Sequence, residues 1–115
     1  MKIGISGGRD FLDYKKFSAL MDEFRNHLEI DMIISGGAKG TDEMAYRYSI
    51  QKGITFVCHP PKPEDGYPAR FFRRNLRIVE QCETLLAFPT KNSKGTYHAI
   101  SLAKKLNKPC YVVEV

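Results

Sequence analysis

The stretch Ile33-Ile34-Ser35-Gly36-Gly37-Ala38-Lys39-Gly40-Thr41-Asp42 decides the fold: an apolar run stops at a glycine-rich turn and passes at once into a helical pattern. Glycine tolerates positive φ and lets a ligand approach the main chain, so three glycines between a strand and a helix suit a turn that offers amide N–H groups to an anion. The same residues suit a tight connection without a ligand, because βα turns need glycine for geometry alone. Lys39 precedes Gly40, which excludes a GxxxxGK[ST] loop, and Ser35 stands where GxGxxG requires its first glycine.

Upstream, residues 2–6 read as a short apolar strand ending at Ser6-Gly7-Gly8-Arg9-Asp10-Phe11. Tyr14, Phe17, Leu20, Met21, Phe24 and Leu28 then recur at helical spacing, a helix of about four turns with Asp10 or Asp13 as N-cap. A second strand over 30–34 enters the opening turn. Thr41 or Asp42 can cap the helix that follows, with Met44, Ala45 and Tyr48 inward and Gly53 at its end. A third strand, 54–58, runs into His59-Pro60-Pro61-Lys62-Pro63-Glu64-Asp65-Gly66-Tyr67-Pro68, whose prolines make it a stiff surface loop and a candidate lid. A helix over 69–82, a strand over 84–88 and the polar turn 89–96 come next. A helix with Ala99, Ile100, Ala103 and Leu106 inward and a closing strand over 109–115 complete the pattern.

Five strands alternating with four helices predict an α/β domain spanning 1–115: a parallel sheet in the order 3-2-1-4-5 with helices on both faces. That order gathers the polar turns at positions 7, 36 and 95 over the carboxyl edge, where open α/β sheets bind ligands.

With 115 residues the chain can bury roughly two thirds of its unfolded surface. No apolar run approaches the ~20 residues of a membrane span, and the N-terminal residues lead straight into a strand pattern, so a cytoplasmic, membrane-free protein is expected. Cys58, Cys82 and Cys110 are odd in number and set among apolar neighbours, which predicts reduced, mostly buried thiols. His27, His59 and His98 lack metal-ligand spacing, and neither a metal nor a cofactor is expected. A formal charge of +5 favours an anionic partner, either a phosphorylated small molecule or nucleic acid.

Arg70, Arg73, Arg74 and Arg77 fall at i, i+3, i+4 and i+7, on one helix face, as a phosphate clamp, a nucleic-acid contact or a solvated charged face. Arg74-Asn75 is the part singled out. Arg9 projects toward the crevice or makes a surface ion pair, and Asp42 accepts from ribose hydroxyls or caps its helix. Lys91, Ser93, Lys94 and Thr96 supply donors in the third turn. Tyr67, Phe71 and Phe72 stack on a base or pack the core. Ser6 and Ser35 end strands with no histidine tied to either, which argues against a serine hydrolase. Tyr46, Tyr48, Phe71 and Phe72 offer more aromatic surface than the sheet buries, so a homo-oligomer is expected.

On Gly7-Gly8-Arg9-Asp10-Phe11, Ser35-Gly36-Gly37-Ala38-Lys39-Gly40-Thr41-Asp42, Arg74-Asn75 and Gly95-Thr96, the chain resembles the YspA-like branch of the SLOG superfamily. This is the Rossmann-like group that joins the DNA-processing protein A and Lonely Guy families. The resemblance implies a nucleotide-like ligand over the carboxyl edge, held by Ser6, Gly7, Gly8, Arg9, Ser35, Gly36, Gly37, Ala38, Gly40, Thr41, Asp42, Arg74, Asn75, Pro89, Ser93, Lys94, Gly95 and Thr96. Lonely Guy enzymes carry PGGxGTxxE; here Pro89 and Gly95-Thr96 stand further apart and Ala99 occupies the glutamate position. An alanine exchanges no proton, so catalysis by the Lonely Guy route is not expected, and Asp42 and Glu43 of the neighbouring turn stand only as candidate substitutes. The expected function is a binding module for a nucleotide-derived, ADP-ribose-like ligand, a sensor or signal-sequestering sponge in bacteria–phage conflict. A nucleotide N-glycosidic hydrolase and a single-stranded nucleic-acid binder are the alternatives.

Overall fold

The computed structural model describes residues 1–115. Its elements are β1 (Lys2–Gly7), α1 (Tyr14–Arg25), β2 (Met32–Ser35), α2 (Thr41–Lys52), β3 (Thr55–Cys58), a 3-10 turn (Pro63–Asp65), α3 (Ala69–Gln81), β4 (Thr84–Phe88), α4 (Lys94–Lys105) and β5 (Cys110–Val112). The five strands form one sheet in the order β3-β2-β1-β4-β5, every pair parallel. This is the expected Rossmann-like α/β architecture.

Period-two alternation divides the strand residues between two cores. Ile3, Ile5, Ile33, Leu86 and Phe88 meet Phe17 and Met21 of α1 and Met44, Ala45 and Tyr48 of α2. On the opposite face Ile34 and Leu85 meet Ile78, Val79 and Cys82, with Ala99 and Ala103 of α4. Helices therefore cover both faces, α1 with α2 on one and α3 with α4 on the other. No helix is long and apolar enough to cross a membrane.

Several boundaries differ from the sequence reading. Helix α1 stops at Arg25, where the Asn26 N–H turns back to the carbonyls of Glu23 and Phe24, and Leu28 packs on the core from outside the helix. Asp13 provides the cap, accepting from the Lys16 N–H at 3.1 Å. Strand β2 begins at Met32, not 30, and β5 keeps only Cys110–Val112, opposite Leu85, Leu86 and Ala87. Tyr48 is fully buried, so it offers nothing to a second copy. Cys58 is exposed while Cys82 is buried, because Cys58 ends the edge strand β3.

Candidate functional site

At the carboxyl edge the turns after β1 and β2 are joined through one atom. The Gly8 carbonyl accepts from the Thr41 hydroxyl at 2.9 Å and from the Thr41 N–H at 3.2 Å. Gly40, at φ +73°, lies so close that a Cβ there would stand 2.5 Å from the Arg9 carbonyl oxygen and 2.6 Å from that of Gly8. Its glycine thus serves both the left-handed turn and the contact between two main chains.

The second turn is tied to the third through α3. Arg74 Nη1 donates to the Gly36 carbonyl at 3.0 Å, and Arg74 Nε donates to Asn75 Oδ1 at 2.8 Å. Asn75 Nδ2 donates in turn to the Gly95 carbonyl at 3.2 Å and lies 3.2 Å from His98 Nδ1. A side chain at position 36 would run into the Arg74 guanidinium. The first and third turns meet where the Thr90 hydroxyl donates to the Asp10 carboxylate.

Asp42, 8% exposed, does not cap α2, whose N-cap position is Gly40 with no side chain to offer. It folds back into the preceding turn: Oδ2 accepts from the Ala38 N–H at 3.0 Å, and Oδ1 lies 2.7 Å from Ser35 Oγ. Ser35 Oγ also lies 3.1 Å from the Ile5 carbonyl oxygen. Ser35 Oγ is the donor in both contacts, and its single proton serves the Asp42 carboxylate or the Ile5 carbonyl one at a time. Burial pushes the Asp42 carboxyl above the usual carboxylate range, against the opposing pull of Ser35, Ala38, Arg74 and Arg9. Burial likewise pushes the Arg74 guanidinium below its ordinary value; Asp42 opposes that shift and Arg9 adds to it.

A cleft of about 770 Å³ opens between the three turns and α3. Of the residues singled out in sequence, Ser6, Gly7, Gly8, Arg9, Ala38, Asp42, Arg74, Asn75, Ser93, Lys94, Gly95 and Thr96 line it together. Gly37, Gly40 and Glu43 line a second cleft of about 600 Å³, beyond the Ala38–Asp42 wall that both clefts share. Ser35, Gly36, Thr41 and Pro89 are buried and line neither. At the start of α4 the amides of Lys94, Gly95 and Thr96 have no protein acceptor, since Ser93 Oγ is taken up by the Thr90 N–H.

The arginine stripe does not form one solvent-facing row. Arg74 is 8% exposed in the site, Arg77 pairs with Asp65 at 2.7 Å, and Arg70 lies over the Tyr67 ring at 5.4 Å; of the four only Arg73 is exposed. The 59–68 segment folds over α3 and claims Arg70 and Arg77. Tyr67 and Phe72, 77% and 48% exposed, stand at the rim of the first cleft and outside the core. Sequence reasoning missed the place of His98 beside Asn75 and the side of the second cleft formed by Leu12, Tyr14, Tyr46, Arg47 and Phe56. Its aromatic residues come from α1, α2 and β3, and no local pattern announces that they converge. No group of three or more His, Cys, Asp or Glu side chains is arranged to hold a metal ion.

A family model described as YspA, cpYpsA-related SLOG family matches residues 1–65. Among solved structures the chain is similar to DNA processing protein A from Streptococcus pneumoniae, with TM-score 0.77, 18% identity and coverage of 96% of this chain and 49% of that one. DNA processing protein A from Helicobacter pylori, described for its single-stranded DNA binding mode, gives TM-score 0.71 and 19% identity over 97% of this chain and 64% of its own. The protein TM1055 gives TM-score 0.70 and 19% identity over 95% and 71%. The chain thus spans about half of the Streptococcus protein, and at these identities the likeness is one of fold. A search of curated proteins gives no match.

Proposed function

The chain belongs to the YspA, cpYpsA-related SLOG family, and from that premise we propose that it is a binding module for a phosphate-bearing, nucleotide-derived ligand seated in the cleft between the three turns. One observation carries the reading: Arg9 and Arg74 face the same cleft, with like charges close enough for Arg9 to depress the Arg74 guanidinium, and neither closes an ion pair. An anion between them relieves that repulsion. The partnerless amides of Lys94, Gly95 and Thr96 and the N-terminal end of α4 add donors of the same sign. Tyr67 and Phe72 at the rim suit a base.

The finer reading is an ADP-ribose-like signal, sensed or sequestered in the cytoplasm during bacteria–phage conflict. Calorimetry against AMP, ADP-ribose and NAD tests it. Arg9→Ala, a change at an exposed side chain, is expected to weaken binding at least about tenfold without altering the fold. Well-folded protein giving no heat with any of the three would remove the proposal.

Hydrolysis of an N-glycosidic bond is favoured by one observation, the placement of Asp42, 8% exposed, in the wall of the cleft, where burial favours the protonated form that a general acid needs. Free base released from AMP, and lost in Asp42→Asn, would establish it. Single-stranded nucleic acid is the other reading: the Helicobacter relative's structure is described for that mode, and here Arg73, Tyr67 and Phe72 are exposed together.

A further inference from the structure

We propose that the second cleft is a second nucleoside subsite, so that the ligand consists of two nucleoside units joined through phosphate. The inference rests on the phosphate-binding reading of the first cleft and extends it. The two clefts are separated by a single shared wall, Ala38 and Asp42. Their chemistry differs in the way such a ligand requires.

Arg9, Arg74, Lys91 and Lys94 against Asp10 and Asp42 give the first cleft a positive balance, which places the phosphates there. The second is lined by one cation, Arg47, against Asp42 and Glu43, so its charge balance gives a phosphate little and a neutral ring suits it better. Its walls are aromatic: the Tyr46 and Phe56 rings stand 5.3 Å apart, and Tyr46 is 54% exposed. The Arg47 guanidinium lies 3.9 Å from the Tyr14 ring centroid and pairs with no carboxylate, leaving a flat cationic surface on which a base can stack. A volume of about 600 Å³ falls inside the range of small-molecule sites.

The wall itself offers the connection. Each Asp42 oxygen makes one internal hydrogen bond, and a carboxyl group has further acceptor capacity for a ribose hydroxyl approaching over the ridge. The second cleft also lies against Cys58 at the end of β3, so a molecule crossing the ridge runs along the carboxyl edge of the sheet from β1 toward β3.

Calorimetry of the full chain with AMP and with the linear dinucleotide pApA tests the proposal, using Tyr46→Ala and Arg47→Ala, two exposed helix positions that tolerate alanine. The expected result is at least about tenfold tighter binding of pApA, an advantage that both variants erase while AMP binding stays unchanged. Equal affinities for AMP and pApA, or variants that leave the pApA advantage intact, overturn this proposal alone. Binding of neither probe overturns the phosphate site as well. Decathymidylate then identifies the source: displacement of pApA with the same sensitivity to Tyr46→Ala means that the two units belong to a strand, and absence of displacement means a free dinucleotide.

Discussion

Asp42 sits where burial disfavours its charge. Its pKa is raised by burial above the unfolded carboxylate value of ~3.9, so the folded state binds the proton more tightly than the unfolded chain. The associated stability is fully present below the unfolded value and is lost as pH rises through the folded one. In urea unfolding, the stability of the native chain relative to Asp42→Asn should therefore decline from pH 4 upward, a comparison that cancels the opposite contribution of Asp65, whose carboxyl is lowered by Arg77. Asp42→Asn, whose amide can donate to Ser35 while its oxygen accepts from Ala38, should be the more stable form at pH 7; a native-like slope in the variant would refute the assignment. Arg74 is likewise a charge that burial disfavours, but its guanidinium donates to two acceptors that depend on it. Truncation to alanine leaves the Gly36 carbonyl and Asn75 Oδ1 without their donor, and the expected loss is about 2–3 kcal/mol in urea unfolding. Arg74 and Asn75 were legible in sequence as a pair at the edge of the crevice. Their main task, tying β2's turn to α4, was not, because it depends on acceptors at positions 36 and 95 that only the folded chain brings near.

Helix α2 has glycine at both boundaries, and the two positions behave differently. Gly53, at φ +66°, has nothing within 4 Å of where a Cβ would stand. Gly53→Ala meets only the left-handed strain, about 1 kcal/mol. Gly40→Ala meets a backbone at φ +73°, ψ −118°, outside the αL region that Gly53 occupies, and two carbonyl oxygens of another turn at 2.5 and 2.6 Å, backbone atoms that cannot swing away. Thermal unfolding should show several times the loss of Gly53→Ala, about 3 kcal/mol or more; comparable losses would mean that the β1 turn yields easily. The strand–glycine–helix punctuation was readable because each element signals itself within a few residues. The arginine stripe on α3 misled, since helical periodicity tells which residues share a face and nothing about what folds over it. Here the 59–68 segment covers part of that face and Asp65 takes Arg77.

For the molecule as a whole, sheet order was predictable because right-handed crossovers leave few ways to arrange five parallel strands. Surfaces were less so. Of the four aromatics expected to seek a second copy, Tyr48 is wholly interior, while Phe72 remains half outside with Leu76 one turn further along α3 and Tyr97 on α4 also exposed. We extend the functional proposal to a homodimer through Leu76 and Tyr97, which leaves Phe72 free at the rim of the cleft. Native mass spectrometry should show a dimer that Leu76→Glu converts to monomer, and a native chain that stays monomeric would count against it. The shared acceptor at Gly8 carries a different consequence. With the Thr41 amide and hydroxyl both fastened to it, these loops are set before any guest arrives. The Thr41 amide should then exchange with deuterium slowly even in the empty protein, and little ordering entropy should oppose capture. A receptor of this kind discriminates as a rigid gauge does, admitting what already fits.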